Sequence, residues 1–337
     1  MRITALAGGV GGARFLRGLR AHLDADPALA ETEVTVIGNT GDDITLFGLR
    51  VCPDLDTLMY TLGGGIDESQ GWGRVGDTRT VQGELAAYGA HPQWFGLGDL
   101  DFATHIARSQ WLGNGMELSA VTARLGQRWG LDRRRVRLLP MSDEPVETYV
   151  VIDDPTADRS TKGTEARAGL RAVHFQEWWV GMGAAPPARA FHAVGIDLAT
   201  PAPGVLDAIR HADVVLLPPS NPVVSIGIVL SVPGVRDAMR GTSAPVVGVS
   251  PIVSEAPVRG HADACLRALG LPTTPAAVAG LYADFLDGWL VAPGEEHPAP
   301  DGVTVAARPL LMRDPDSAAR LAGDALALAL QLRGARG

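Results

Sequence analysis

Lysine is almost absent: Lys162 is the only one in 337 residues, and it falls in the polar stretch TADRSTKGTEARAG. Schiff-base chemistry, pyridoxal phosphate and a Walker-type phosphate loop each need a lysine held in an ordered site. This one is expected in a mobile surface loop. The remaining positive charge is arginine, whose planar fork suits phosphate and carboxylate. Cysteine is as scarce. Cys52 and Cys265 are the only two and form no CxxC pair, which argues against a zinc knuckle or thioredoxin-like centre and fits a reducing cytoplasm. No run of about 18 uncharged apolar residues exists, so no membrane span is expected. The N-terminus enters a strand-like run without the basic and apolar regions of a secretion signal. A net charge of −9 disfavours a nucleic-acid binder, which needs a basic stripe. Small molecules in the cytoplasm are the expected partners.

What the sequence does contain is alternation. Apolar, β-branched runs bounded by turn residues predict strands that include Arg2–Ala7, Glu33–Gly38, Ala172–Trp178, Val214–Pro218 and Val246–Ser250. Helical periodicity is expected over Ala13–Leu23, Leu55–Leu62 and Asp316–Leu332, among others. The continuous runs DVVLLPP and APVVGVSP read as strands covered on both faces, as in a parallel sheet. The pattern predicts an α/β fold: a Rossmann-like, doubly wound, mostly parallel sheet. From about Arg133 to Ala190 it changes to consecutive strands with a polar loop, Asp153–Ala168. That stretch is expected to be an inserted α+β cap on a single domain spanning residues 1–337.

The segment ITALAGGVGGARFLRGL (3–19) holds four glycines between residues 8 and 12. A strand, a glycine turn and a helix gather backbone N–H groups and the positive end of the helix dipole at one spot, which favours an anion. Two checks bear on which anion. The dinucleotide fingerprint G-x-G-x-x-G fits Gly9 and Gly11 but finds Arg14 where the third glycine permits close packing. The acidic residue that binds ribose at the end of the second strand is also missing, because that strand ends in Gly38 and Asn39. No Gly-Lys-Ser/Thr follows, so the Walker pattern fails. Two readings stay open. Gly8, Gly9, Gly11 and Gly12 cradle a phosphate or diphosphate with Arg14 beside it, or they form a turn that merely packs tightly.

Two acidic loops follow, NTGDD (39–43) and CPDLDT (52–57). A doubly wound fold collects its post-strand loops at the carboxyl edge of the sheet, where ligands bind. Asp42, Asp43, Asp54 and Asp56 are thus expected near the glycine loop, and a few carboxylates beside a diphosphate suit Mg2+. The plainer reading makes Asp54 a helix N-cap and Asp43 a turn residue. In PPSNPVVSIG (218–227), Ser220 and Asn221 offer small polar groups for a nucleobase or phosphate, or cap a helix begun by Pro222. In HFQEWWV (174–180), strand alternation puts His174, Gln176 and Trp178 on one face and Phe175, Glu177 and Trp179 on the other. The adjacent tryptophans are expected to close a core or a dimer contact. No G-x-S-x-G elbow, HExxH or Ser/His/Asp ordering appears. That suits a reaction whose substrates bring their own nucleophile and leaving group.

Together GGVGGARFL (8–16), NTGDD, PDLDTLMYTLGGGID (53–67), GWG (71–73), WFGLGDLDFATH (94–105), HFQEWW (174–179) and PPSNPVVSIG resemble the CofD/FbiA family. Its members are 2-phospho-L-lactate transferases of deazaflavin coenzyme F-420 biosynthesis. The resemblance runs from the first strand to about Met312 and looks closest to the actinobacterial branch. It implies a donor in which guanosine diphosphate is esterified to phospholactate or phosphoenolpyruvate. The implied acceptor is the deazaflavin Fo, whose terminal ribityl hydroxyl displaces GMP. It also implies Mg2+ and a homodimer.

Carried onto this chain, the resemblance assigns the donor phosphates to the four glycines and the guanosine to Ser220 and Asn221. Asp42, with Asp54 or Asp56, would hold the metal, and Asp42 would orient or deprotonate the acceptor hydroxyl. Asn39, Thr40, Trp72 and the Gly96–Asp99 turn would line the deazaflavin pocket. A non-enzymatic, nucleotide-sugar-binding regulator from a sister branch is the alternative, against which the HFQEWW and WFGLGDLD wording counts. The sequence leaves lactyl and enolpyruvyl donors undivided, since a methyl and a methylene make nearly the same demand on a pocket.

Overall fold

The mainly apolar run after Arg2 forms β1 (Arg2–Ala7), and the glycine run turns it into α1 (Gly9–Ala25). A computed structural model describes residues 1–154, 169–296 and 299–336 of the chain. After β2 (Glu33–Gly38), a small hairpin of β3 (Ile44–Leu46) and β4 (Leu49–Val51) leads into α2 (Pro53–Gly63). Three further helices, α3 (Thr80–Ala87), α4 (Asp99–Gly113) and α5 (Leu118–Arg128), precede β5 (Val136–Pro140). Next come β6 (Glu147–Asp153), β7 (Leu170–His174) and β8 (Ala188–Val194). The chain returns through α6 (Val205–Arg210), β9 (Val214–Leu217), α7 (Ile226–Ser231), α8 (Val235–Gly241) and β10 (Val246–Val249). The two-residue strands β11 (Ile252–Val253) and β12 (Ala256–Pro257) follow, then α9 (Ala262–Ala268) and α10 (Pro275–Gly280). β13 (Gly288–Val291), β14 (Thr304–Ala307) and α11 (Pro315–Arg336) complete it.

Seven strands form one sheet in the order β14-β13-β10-β9-β1-β2-β5, with every neighbouring pair parallel. The chain thus builds outward from β1 through β2 to β5, then restarts on the other side of β1 with β9. This is the doubly wound α/β architecture that the alternation predicts. Its topological switch lies between β1 and β9, and a crevice for ligands opens at the carboxyl ends of those strands. Side chains alternate across the sheet. Ile3, Ala5 and Ala7 pack with Phe15, Leu55, Val121 and Leu321 on one face, while Leu6 and Ile37 join Val205, Val229 and Trp289 on the other. Small residues let α11 press on α1: a Cβ at Gly18 would lie 2.4 Å from the backbone of Ala318.

A separate three-stranded antiparallel sheet, β7-β6-β8, has its own apolar cluster of Val150, Ile152, Val173, Phe175 and Trp178. Val136–Pro140 falls inside the stretch expected to be inserted, yet it is the edge strand of the central sheet. The strand expected over Ala172–Trp178 ends at His174, and a π-helical turn occupies Glu177–Gly181. Helical spacing puts Phe175 and Trp178 on the same side, with ring centroids 6.1 Å apart, where strand alternation would have parted them. Trp178 is wholly buried and donates from Nε1 to the carbonyl of Pro186 at 2.8 Å. Lys162 and most of the polar stretch around it lie outside the described residues. Among those that are described, no helix is long and apolar enough to cross a membrane.

Candidate active site

At the switch point the chain leaves β1 through Gly8, which is extended at φ −154°, and enters α1 four residues earlier than the periodicity predicts. Glycines carry no hydropathy signal, so the first helical turn is invisible in the pattern. The amide of Gly8 donates to Ser220 Oγ at 3.2 Å, and that of Gly9 to Asp54 Oδ1 at 2.7 Å. A Cβ would lie 2.3 Å from Asp54 Oδ2 at Gly8, 2.3 Å from the Pro219 carbonyl oxygen at Gly11, and 2.6 Å from Ser220 Oγ at Gly12. Close approach of three loops therefore requires three of the glycines, and Gly9 is the one that needs the left-handed region, at φ +65°. The amides of Gly8 and Gly9 already have acceptors. Those of Val10 and Gly11, in the first turn of α1, have no intrahelical acceptor, and both residues line the cavity. An anion here meets those two.

Asn39, completely buried just past β2, organises the acids. Its Nδ2 donates to Asp42 Oδ1 at 3.1 Å and to Asp54 Oδ2 at 2.9 Å, while its Oδ1 accepts from the Gly41 amide at 2.9 Å. Gln176, carried in from the antiparallel sheet, donates to the other oxygen of Asp42 at 3.0 Å. Both carboxylates reach the cavity wall although their residues are buried. Burial, then the charges of Asp54 and Asp43, push the Asp42 carboxyl well above the usual carboxylate range. Burial raises Asp54 to about 6 against the opposing hydrogen bonds from Asn39 and Gly9. Two carboxylates that resist ionisation side by side favour a divalent cation. Among the described residues no group of three or more His, Cys, Asp or Glu converges on one point. Two protein carboxylates, with waters and ligand phosphates completing the shell, is a donor set that Mg2+ takes.

The other expected site residues divide. Asp56 is corrected as a metal ligand: both its oxygens are taken by the Arg108 guanidinium, one of them by Nη1 at 3.0 Å, with His105 Nδ1 3.7 Å away. Two positions apart on a helix means about 200° around it, so Asp54 and Asp56 cannot face one ligand. Nor is Asp54 an N-cap; Cys52 occupies that position and Asp54 lies in the first turn. Asp43 is buried 3.8 Å from Arg50 Nε, and burial pushes its carboxyl up to about 7. Asp99 caps a neighbouring turn, accepting from Thr78 Oγ1 at 2.6 Å and from the Val81 amide at 2.9 Å, and stays out of the cavity. Asn39 and Thr40 are buried outside the cavity lining, whereas Trp72 and Gly96 belong to it. Arg14 holds the Glu68 carbonyl at 3.3 Å outside the lining. Ser220 and Asn221 line the cavity. The Asn221 side-chain oxygen is occupied by the Val223 and Val224 amides at 2.9 and 3.2 Å, and the helix begins at Ile226, not Pro222.

The cavity measures about 420 Å3. Its lining is partly apolar, with Phe175, Trp179, Val180, Val258, Leu310 and Met312 alongside the glycine loop and the acids. Such a mixed lining suits a ligand with an apolar body and an anionic part. Sequence reasoning missed Gln176, because it assumed a strand there, and also Arg259 and His261. Those two follow the short β11–β12 hairpin in a stretch with no recognisable motif. The one local hint is Gly260, at φ +75°.

Comparison with known proteins identifies the family. The family described as 2-phospho-L-lactate transferase CofD matches residues 3–305. The chain is 59% identical over 336 residues to the phosphoenolpyruvate transferase of Thermobifida fusca, covering 99% of both chains. It is 56% identical over 338 residues to the phosphoenolpyruvate transferase of Kitasatospora aureofaciens, again with 99% of both covered. Identity to the protein of that name from Mycolicibacterium smegmatis is 51% over 338 residues, covering 98% of this chain and 99% of the relative. Among solved structures, a UPF0052-family protein of Bacillus halodurans matches 96% of this chain and 98% of its own, at TM-score 0.60 and 15% identity. That likeness speaks for the fold. The chain is a transferase and belongs to the CofD family, 2-phospho-L-lactate transferase.

Proposed function

We propose that the chain is a phosphoenolpyruvate transferase that uses Mg2+, a guanosine-diphosphate-linked donor and the deazaflavin Fo. The observation that carries this reading is the Asp42–Asp54 pair, bridged by Asn39 at the switch point beside the first-turn amides of α1. The names of the relatives support the enolpyruvyl over the lactyl donor. The terminal ribityl oxygen of Fo forms a bond to the phosphorus bearing the three-carbon acid. The bond from that phosphorus to the bridging oxygen breaks, GMP leaves with the electron pair, and the hydroxyl proton goes to a base.

Transfer of this kind needs positioning and charge neutralisation more than a covalent nucleophile. The Val10 and Gly11 amides donate to the donor phosphates. Asp42 and Asp54 would hold Mg2+, which neutralises phosphate charge when bound. Asp42, at the cavity wall, is placed to orient the acceptor hydroxyl and take its proton. The apolar part of the lining, Trp72 and Gly96 included, takes the flat deazaflavin. We take the enzyme to act as a single-domain subunit of a homodimer in the cytoplasm; sedimentation of the purified protein reads the dimer directly. The functional test is GMP release, followed by chromatography, with mass spectrometry of the product from enolpyruvyl and lactyl donors. GMP is expected only when donor, Fo and Mg2+ are present together. Tight binding of a UDP-sugar, with no affinity for Fo, would reverse the reading in favour of a regulator.

A further inference from the structure

The cavity lining carries the carboxylates of Asp42 and Asp54, and among the described residues Arg259 is the one arginine or lysine in it. Arg259 donates from Nη2 to the carbonyl of Gln70 at 2.5 Å, and Arg14 donates from its own Nη2 to the carbonyl of Glu68 at 3.3 Å. The two guanidiniums therefore flank one turn. Gly71, at φ +78°, holds that turn against the start of α1: a Cβ there would lie 2.8 Å from Val10 Cγ1 and 3.1 Å from Arg259 Nη1. Arg17, the third cation nearby, is neutralised by the Glu68 carboxylate. Among the described residues neither Arg14 nor Arg259 has a carboxylate at ion-pair distance. Their charges oppose each other, and burial together with Arg14 weakens the hold of Arg259 on its proton.

We propose that Arg259, backed by Arg14, binds the carboxylate of the three-carbon acid on the donor and so selects an acidic donor. This rests on the transferase reading above. The donor is anionic in two places. Amides and a cation serve its diphosphate, whereas its carboxylate finds no hydrogen-bond donor in Asp42 or Asp54 once they hold the cation and needs a donor of its own. A guanidinium fork matches a carboxylate with two parallel hydrogen bonds. An anion at this point also relieves the repulsion between the two arginines. The same chemistry fits the diphosphate, so the test must separate the two.

The test compares wild type, Arg259→Gln, Arg259→Lys and Arg14→Gln in GMP release from the acidic donor and from its carboxyl methyl ester, with GDP affinity measured by calorimetry. For Arg259→Gln, kcat/KM on the acidic donor is expected to fall about 10- to 100-fold, the range for losing a hydrogen bond to a charged group. Its GDP affinity should stay within about twofold, since GDP lacks the carboxylate. The wild-type preference for acid over ester should collapse in Arg259→Gln, return in part in Arg259→Lys, and shrink less in Arg14→Gln. A parallel loss of GDP affinity in Arg259→Gln would assign the arginine to the diphosphate and overturn the proposal. Unchanged discrimination between acid and ester would do the same while leaving the transferase reading intact. A wild type that releases no GMP from any donor sinks both.

Discussion

Replacing Asn39 by Asp exchanges one side-chain atom and restores the acidic residue that a dinucleotide-binding fold carries at this strand end. Here it should do damage. Asn39 is completely buried and gives one N–H bond to each of two carboxylates, at 3.1 and 2.9 Å. Losing two bonds to charged groups costs about 1.5–3 kcal/mol each, so roughly 3–6 kcal/mol together. The new carboxyl also faces Asp42 and Asp54 and stays protonated; holding it so at pH 7, against an ordinary value near 4, costs about 4 kcal/mol. Its hydroxyl recovers one bond, which leaves a total of roughly 5.5–7 kcal/mol. An unfolding entropy of roughly 2.1 cal/mol/K per residue, over 337 residues, converts this to a Tm lowered by about 8–10 °C. The pH dependence has a definite sign. A carboxyl whose folded pKa is raised costs nothing below its unfolded value near 4 and progressively more as pH rises toward the folded value. Scanning calorimetry of Asn39→Asp without Mg2+ at pH 5 and pH 8 should therefore find the larger deficit at pH 8, with GMP release lost. A Tm within a degree of wild type at pH 8, with full activity, would refute the bridging role.

Gly11→Ala should lower both Tm and GDP affinity, because its Cβ meets the Pro219 carbonyl oxygen at 2.3 Å; Gly113→Ala, with nothing within 4 Å, is the matched control and should be neutral or slightly stabilising. Asp54→Asn should abolish the rise in Tm that Mg2+ gives the wild type. Asp56→Asn should keep that rise while losing about 3–5 kcal/mol of stability, since it strands the buried Arg108. Four buried carboxyls, Asp42, Asp43, Asp54 and Asp101, have raised pKa values, and His105 and His174 have lowered ones. The carboxyls bind extra protons in the folded state between about pH 4 and 7 and outnumber the histidines, so metal-free protein should be more stable at pH 5.5 than at pH 8. Stabilisation by Mg2+ should run the other way, because the metal competes with protons for Asp42 and Asp54. A metal-free Tm that climbs with pH would contradict this reading of the cluster.

Much of the fold was legible because its signals are local. The apolar runs of β1, β9 and β10 are too continuous for half-exposed strands, and their alternation with helices leaves few architectures. The acids at 42 and 54 could be placed at one edge of the sheet from loop position alone. Choosing between Asp54 and Asp56 could have been done on helical phase, since only one of them can turn toward the glycine loop. Gln176 and Arg259 were out of reach for a different reason. Gln176 meets Asp42 across 134 residues of sequence, from a turn whose helical form is dictated by where Trp178 must bury its indole. Arg259 owes its position to a two-residue hairpin and to Gly71, neither of which has a periodicity to read. Asp99 was misassigned because its glycine-rich setting looks like a ligand loop, although its carboxylate is consumed by Thr78 and Val81.

The glycine run illustrates how a fingerprint can be broken without losing its site. With Arg14 in the third glycine position, a dinucleotide loop loses its close helix–strand contact. Here that contact is made by Gly12, whose Cβ would lie 3.1 Å from the Cβ of Ala7, while Gly11 lets the loop after β9 approach and Gly18 lets α11 press on α1. The second loss, the ribose-binding acid, is equally informative. An acid at position 39 would compete with Asp42 and Asp54 for the same small volume, whereas an amide there holds both by donating to each. The doubly wound frame thus keeps its anion crevice. On the function proposed above, a pair of carboxylates stands where the ribose contact would be, and the crevice would serve a diphosphate that is to be cleaved rather than hold a dinucleotide.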